Sequence, residues 1–594
     1  MRPSLVLRGT NYNPTKVNLR LRKAYRGSRT PVLPLARRLA DGDSRKGAAA
    51  ARTDIVNPAL CDDILSYIGP SLSQYKNCDI VDVCPGAGLW SSKLHDFLKP
   101  RRHVLLEPDK FYTPFLKPLL EAPGSTYIDG PAGDEALSSI ANTFHQGLLP
   151  DQHPFPKGDP RLNETNTSLL LLLNLSGVKA SSIKKTYFAT REVLNVLTGT
   201  ASTGSGLGRY GHVRMLVWVG DYYKERMLPN DLNLLDAHNL SIYHHTRIHL
   251  IADRPGPRAA REDTTVELAS AVRAADKMRL AGIEVPPHRQ NRYHQMALSL
   301  LKDRDAEDVQ AELRAKIIPD KSPLEELHEL QELFKSKSHS WTNIGPWRER
   351  LDHLQNVLEK SLMDRRRNHL KFIEKWAVAD EVSRLEVIIG DENRPAQERL
   401  EAKTHWEKLK AELDKKDFRG RVLEQLLPLV IDHRRAFYQN PSLLEWDNRP
   451  FEPLATKQNE FYPQQSLCLA DFDPKPRVRE QALKDLAYWQ RLTSSLFQRY
   501  AHPLGTSLDK LRLGSSEAIL PELRAVRDPM RGGSLDVNDV RVRSLTLEML
   551  DEVVDAWKNW TFRPADLEKQ FTKSRPDFSD YLDEGTPEVR SFYL

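Results

Sequence analysis

The stretch from Asp79 to Glu107, DIVDVCPGAGLWSSKLHDFLKPRRHVLLE, constrains the chain more than any other. Ile80 to Cys84 is a short apolar run that reads as a strand and enters a tight turn, Pro85-Gly86-Ala87-Gly88. An amphipathic segment follows, with Leu89, Leu94, Phe97 and Leu98 apolar, and a second apolar run, Val104 to Leu106, ends on Glu107. A strand–turn–helix–strand unit with glycines at the first crossover and an acid closing the second strand has the physics of an adenosine-type ligand site. Glycines let the backbone approach the ligand, and the acid can accept hydrogen bonds from both ribose hydroxyls. Glu107 stands 19 residues after Gly88. A turn without a ligand is the alternative, since one Gly-x-Gly occurs in many structural turns.

Around this unit the pattern alternates. Asn57-Pro58 reads as a helix start, with Leu60, Ile64, Leu65 and Ile68 on one face. Thr126 to Asp129, Leu169 to Leu173, Val213 to Val219 and His249 to Ala252 read as strands, separated by helical stretches such as Ala136 to Leu149. Strands alternating with helices over residues 51–253 predict an α/β, Rossmann-like domain with a mainly parallel sheet. After Asp253 both charge signs become dense and helix formers dominate, which predicts a largely helical C-terminal region. Within it Ser322-Pro323-Leu324-Glu325 is a capping box, and leucines recur at Leu351, Leu354, Leu358 and Leu362. Residues 443–476, rich in proline and aromatics, read as an extended strap. Thr546 caps a last helix carrying Leu547, Leu550, Val553, Val554 and Trp557 on one face. The division is therefore 1–50, 51–257, 258–440, 441–570 with the strap, and a mobile tail at 571–594.

The net charge of +6 hides an asymmetry. Residues 1–50 hold 12 Lys and Arg against Asp41 and Asp43, so 12 − 2 = +10, and the remainder carries 6 − 10 = −4. An Arg-rich, acid-poor start is the composition of a mitochondrial transit peptide, with a disordered basic arm touching nucleic acid as the alternative. The longest apolar run, Leu169 to Leu175, is interrupted by Asn174 and falls far short of the roughly 20 residues a membrane span needs. Cys61, Cys78, Cys84 and Cys468 fall in no metal spacing and no disulfide framework, so no metal is expected.

Taken in order, several motifs resemble the rRNA adenine N6-dimethyltransferase family, including its mitochondrial transcription factor B branch, over residues 53–253. Thr53 to Pro58 resembles the segment before the methyltransferase core, and Asp82 to Gly88 resembles the first ligand loop. Glu107-Pro108-Asp109 resembles the ribose-binding acid and its neighbours, and Asp129, 22 residues later, stands where the family recognises the adenine amino group. Met215 to Met227, with Glu225-Arg226, is similar to the late strand and the helix start after it. The resemblance implies a class I methyltransferase fold, S-adenosyl-L-methionine as cofactor, and Pro85, Gly86, Gly88, Glu107 and Asp129 as the residues that bind it.

The departures are equally informative. The family's methylation motif is Asn-Leu-Pro followed by an aromatic, which stacks on the extruded base. Here it reads Asn174-Leu175-Ser176-Gly177, and the first glycine of the ligand loop is Cys84. Asn174 is thus a vestigial catalytic residue, and methylation is expected to be lost. That pattern resembles the fungal mitochondrial transcription factor branch of the family. The WDNRPFEP, NEFYP and LADFDP segments and the run from Trp557 to Pro564 resemble its C-terminal region. The implied function is promoter melting as a monomer in the mitochondrial matrix, with the single-subunit mitochondrial RNA polymerase and mitochondrial promoter DNA as partners. Arg209, Tyr210, Arg214, Tyr581 and Tyr593 are the candidate nucleic-acid contacts, through phosphate attraction and base stacking. The competing reading is an active dimethyltransferase of mitochondrial small-subunit rRNA. It needs another aromatic, such as Tyr187 or Phe188, to take the place of Gly177. A weaker third reading is a structural protein of the mitochondrial ribosome.

Overall fold

A computed structural model describes residues 33–41, 52–177, 190–199, 206–254, 264–316, 374–414, 421–475 and 484–564, apart from residues 134, 157, 192 and 245. The expectations for Tyr187 and Phe188, the capping box at Ser322, the leucines of 351–362, and Tyr581 and Tyr593 lie outside these residues.

Among the described residues ten strands follow one another: β1 Asp54–Ile55, β2 Asp79–Val83, β3 Arg102–Leu106, β4 Tyr127–Asp129, β5 Thr165–Asn174, β6 His212–Gly220, β7 Thr246–Asp253, β8 Leu454–Ala455, β9 Phe461–Tyr462 and β10 Leu467–Pro474. Eight of them form one sheet in the order β4-β3-β2-β5-β6-β10-β7-β8. Strands β2 to β6 run parallel, and β10 enters antiparallel between β6 and β7. The other two, β1 and β9, form a short antiparallel ribbon. In β2 both faces are buried, which is why it reads as a near-continuous apolar run rather than an alternation. The strand order reverses between β2 and β5, and ligands of open α/β sheets sit outside the carboxyl ends of the strands at such a switch.

The helix Pro58–Leu72 starts as its sequence demands. Asn57 accepts a hydrogen bond from the Ala59 amide at 3.0 Å, and Pro58 fills the first helical position. With the helix Leu89–Leu98 it buries Leu60, Ile64, Ile68, Leu94 and Leu98 against one sheet face. On the other face, Val81, Val104 and Val217 belong to a core that continues into Trp489, Leu550, Val553 and Trp557. The C-terminal helices Lys484–Phe497 and Leu547–Asn559 therefore pack as part of the same body as the sheet. Thr546 does cap the second of these, accepting from the Met549 amide.

Two boundaries need correction. The α/β unit does not close at residue 257, because β8 and β10 come from the segment read as a strap. That segment's prolines disguised the strand Leu467–Pro474, whose Leu467, Leu469 and Phe472 are fully buried. Nor does the reading of 1–50 as disordered hold at residues 34–41. Pro34–Asp41 is a helix whose Ala36 and Leu39 are fully buried beside Val56, Leu105, Tyr112 and Tyr462, with the Arg38 guanidinium 5.0 Å from the centre of the Phe115 ring. Between β7 and β8, the described residues of the 258–440 stretch are mostly helical, including Thr264–Ala281, Ala396–Leu413 and Arg421–Tyr438.

Candidate functional site

The sequence-predicted cofactor residues do converge at the switch. Strand β2 ends at Val83, and the turn that follows holds Cys84, Gly86 and Gly88 in left-handed backbone, with φ of 59°, 63° and 72°. Cys84 adopts this conformation despite its side chain, and the burial around it pushes its thiol up to about 11, well away from a reactive thiolate. Gly88 leads into the helix Leu89–Leu98. Glu107 follows β3 directly, Asp129 ends β4 in register with Leu105, and Asn174 ends β5 opposite Trp218. Asp129 is exposed.

What occupies this cleft is the chain itself. Arg52 forms a fork with Glu107: Nη2 donates to Oε1 at 2.7 Å and Nη1 to Oε2 at 2.9 Å. The same carboxylate accepts the Gly86 amide on Oε2 and the Asp109 amide on Oε1, each at 3.0 Å. Its two oxygens offer about four lone-pair sites, and all four are used. Both side chains are about 96% buried, at 3% and 4% exposure. Burial pushes the Glu107 carboxyl up and opposes the Arg52 charge as well. Against that burial, Tyr112 and Glu107 hold the guanidinium well above its ordinary range. Four donors converging on Glu107 favour the ionised pair. The Arg52 guanidinium also lies 4.4 Å from the centre of the Tyr112 ring.

Thr53 and Asp54 continue the occupation. The Asn174 amide donates to the Thr53 carbonyl at 3.1 Å, and Ser176 Oγ accepts the Thr53 amide at 3.1 Å. Asn174 Oδ1 in turn accepts from the Ser176 amide at 3.2 Å and from its hydroxyl at 2.6 Å. A proline at position 176 could make neither of these two bonds, so Ser176 is what closes this knot. Asp54 accepts from Tyr112 Oη at 2.9 Å, and a Cβ on Gly86 would collide with its Oδ1. The glycine cradle is thus filled by a carboxylate of the chain.

S-adenosyl-L-methionine does not fit the residues present in this arrangement. The acid that would take its ribose is filled by Arg52 and the Gly86 and Asp109 amides, the cradle holds Asp54, and the Asn174 side chain bonds Thr53 and Ser176. Ser176 and Gly177 are buried, and neither offers a ring to stack on a base.

The candidate nucleic-acid residues do not join this cleft. Arg214 is buried within β6, where Nε and Nη2 clamp Asp471 of β10 at 2.9 and 2.5 Å and Nη1 donates to the Ser71 carbonyl. It ties the antiparallel strand to the sheet and is no surface contact, which corrects its expected role. Arg209 is exposed and Tyr210 half-buried, its ring stacked on Phe144 at 4.6 Å between centres. Both precede β6 at its start, whereas Asn174 pairs with Trp218 six residues into the strand, a rise of about 20 Å, so they stand at the opposite end of the strands. With Leu137, Ile140 and Leu207 they line a small apolar cavity of about 80 Å³. Among the described residues no cluster of His, Cys, Asp and Glu could hold a metal ion, and no helix is long and apolar enough to cross a membrane.

Sequence reasoning had no local signal for Arg52. It lies one residue before the motif at Thr53, and its partner is 55 residues away.

No protein-family model and no curated protein matches this chain.

Proposed function

We propose that this chain is a binding factor built on a class I methyltransferase-like sheet whose methyl-transfer site has been given up. The resemblance to the mitochondrial transcription factor B branch assigns it the task of assisting the single-subunit mitochondrial RNA polymerase in promoter melting, in the mitochondrial matrix. The observation that carries the first half of this reading is Asn174. A methyltransferase of this family needs the side-chain oxygen of that residue free to accept from an adenine amino group, and here Asn174 Oδ1 accepts the Ser176 amide and hydroxyl, beside a Gly177 that offers no stacking ring. The antiparallel β10 beside β6 also supports a methyltransferase-like rather than a dinucleotide-binding sheet, whose doubly wound order carries a parallel strand there.

The second half rests on the order of the motifs between Thr53 and Met227 and on the Pro- and Trp-rich segments of the C-terminal half. Run-off transcription on a linear mitochondrial promoter, with the cognate polymerase and with or without this protein, tests it. Correct-start transcripts that depend on the protein are expected. A polymerase that is active on a pre-melted template yet indifferent to the protein would sink the reading.

A further inference from the structure

We propose that Arg52-Thr53-Asp54 is a resident intramolecular ligand of the cleft, seated where an adenosine-type cofactor would lie, and that the chain therefore binds no such cofactor in its folded state. The proposal rests on the methyltransferase-like reading of the sheet. It goes beyond that reading by naming what fills the site and how it is held.

Three contacts imitate three parts of a cofactor. The Arg52 fork takes the carboxylate that ribose hydroxyls would take, and it uses both oxygens. The Thr53 main chain satisfies Asn174 and Ser176, the two polar side chains at the end of β5. Asp54 lies against Gly86, which has neither a Cβ to block it nor the strain a side chain would bring at positive φ.

The segment is also anchored beyond the cleft. Asp54 and Ile55 pair with Tyr462 and Phe461, the Val56 amide donates to the Glu460 carbonyl at 2.9 Å, and Asn57 donates to the Glu460 carboxylate at 2.7 Å. Glu460 is held in turn by Arg289 at 2.8 Å. The seat therefore extends into the β8–β10 region, which also completes the main sheet. A free ligand would have to break the fork, the Thr53 bonds and the Asp54 contact together, while a segment tethered on the adjoining ribbon competes at high effective concentration.

Two measurements on the full chain test this. Equilibrium dialysis with labelled S-adenosylmethionine, up to about 1 mM, should give no saturable binding. Saturable uptake by the unaltered chain at a tenth of that concentration would overturn the proposal. Amide hydrogen exchange gives a second readout that needs no ligand. The Thr53 and Gly86 amides should exchange as slowly as those of β2, and Arg52→Ala should speed exchange at Thr53 at least tenfold. Exchange at Thr53 in the unaltered chain as fast as in an exposed loop, or a rate unmoved by Arg52→Ala, would overturn it equally. A chain that fails in transcription while Thr53 stays protected loses the proposed function but not this inference. A chain that supports transcription and binds the cofactor loses the inference alone.

Discussion

Arg52 and Glu107 face each other across the mouth of the β2 turn as a buried two-point ion pair between residues 55 apart in sequence. The acid that the sequence marks as a ribose ligand is, in the fold, the anchor of the chain's own N-terminal segment.

Breaking this pair from one side should be costly. Arg52→Ala leaves a buried carboxylate without its counter-charge, and losses of this kind run to about 3–5 kcal/mol. Replacing both residues by methionine should recover much of that, because a buried ion pair is weak evidence for net stability once its desolvation is counted. Urea midpoints of Arg52→Met, Glu107→Met and the double variant check this, and additive losses would contradict it.

Placing a proline at position 176 should harm rather than help. Ser176→Pro removes the amide and the hydroxyl that hold Asn174 Oδ1, and it removes the acceptor of the Thr53 amide. A cost of about 1–3 kcal/mol is expected for the polar groups left unsatisfied, with no gain of methyl transfer. Denaturant melts together with a methylation assay read both.

The helix Pro34–Asp41 sets a boundary for truncation. A chain starting at Leu33 serves as the reference. One starting after Asp41 loses the buried Leu39 and Ala36 and uncovers Val56 and Tyr112, and it should melt several degrees lower. Equal melting temperatures would contradict the packing described for this helix.

Acid should weaken the fold through His95. Burial, and then the neighbouring His103, lower its pKa to about 4, while in the unfolded chain an imidazole titrates near 6.5. Above that value both states are neutral and nothing is lost. As the pH falls from about 6.5 to about 4, the unfolded chain takes up a proton that the native chain refuses, so stability declines across that window and then levels. His95 is half-exposed, so the decline is modest. Its ring stacks on Tyr127 at 4.0 Å between centres, and its Nδ1 lies 3.1 Å from that of His103, which reaches Asp82 on its far side. In urea melts across this range His95→Gln should flatten the decline; an unchanged slope would contradict the assignment.

How much of this was legible in the sequence depended on range. The β2 turn and its helix could be read from a few neighbouring residues, because the apolar period and the glycines are local signals. The helix cap at Asn57 and the cap at Thr546 were legible for the same reason. Strand β10 was not, since its pairing with β6 and β7 is set by partners more than 200 residues earlier, and Asp471 looks like a strand breaker until Arg214 is placed against it. The helix Pro34–Asp41 was hidden by the basic composition around it. At the cleft the sequence identified the residues and the departures at Ser176 and Gly177, yet it could not say that Ser176 would bind Thr53 or that Arg52 would claim Glu107. Those contacts are properties of the closed sheet.

The most direct test of the central claim is methyl transfer itself, using labelled S-adenosylmethionine, this chain and unmethylated mitochondrial small-subunit rRNA, with an active dimethyltransferase as the positive control. With the Glu107 carboxylate held by Arg52 and the Asn174 side chain bonded to Thr53 and Ser176, the account predicts no label in the RNA above the protein-free background. Dimethyladenine formed in proportion to the amount of this protein would contradict it.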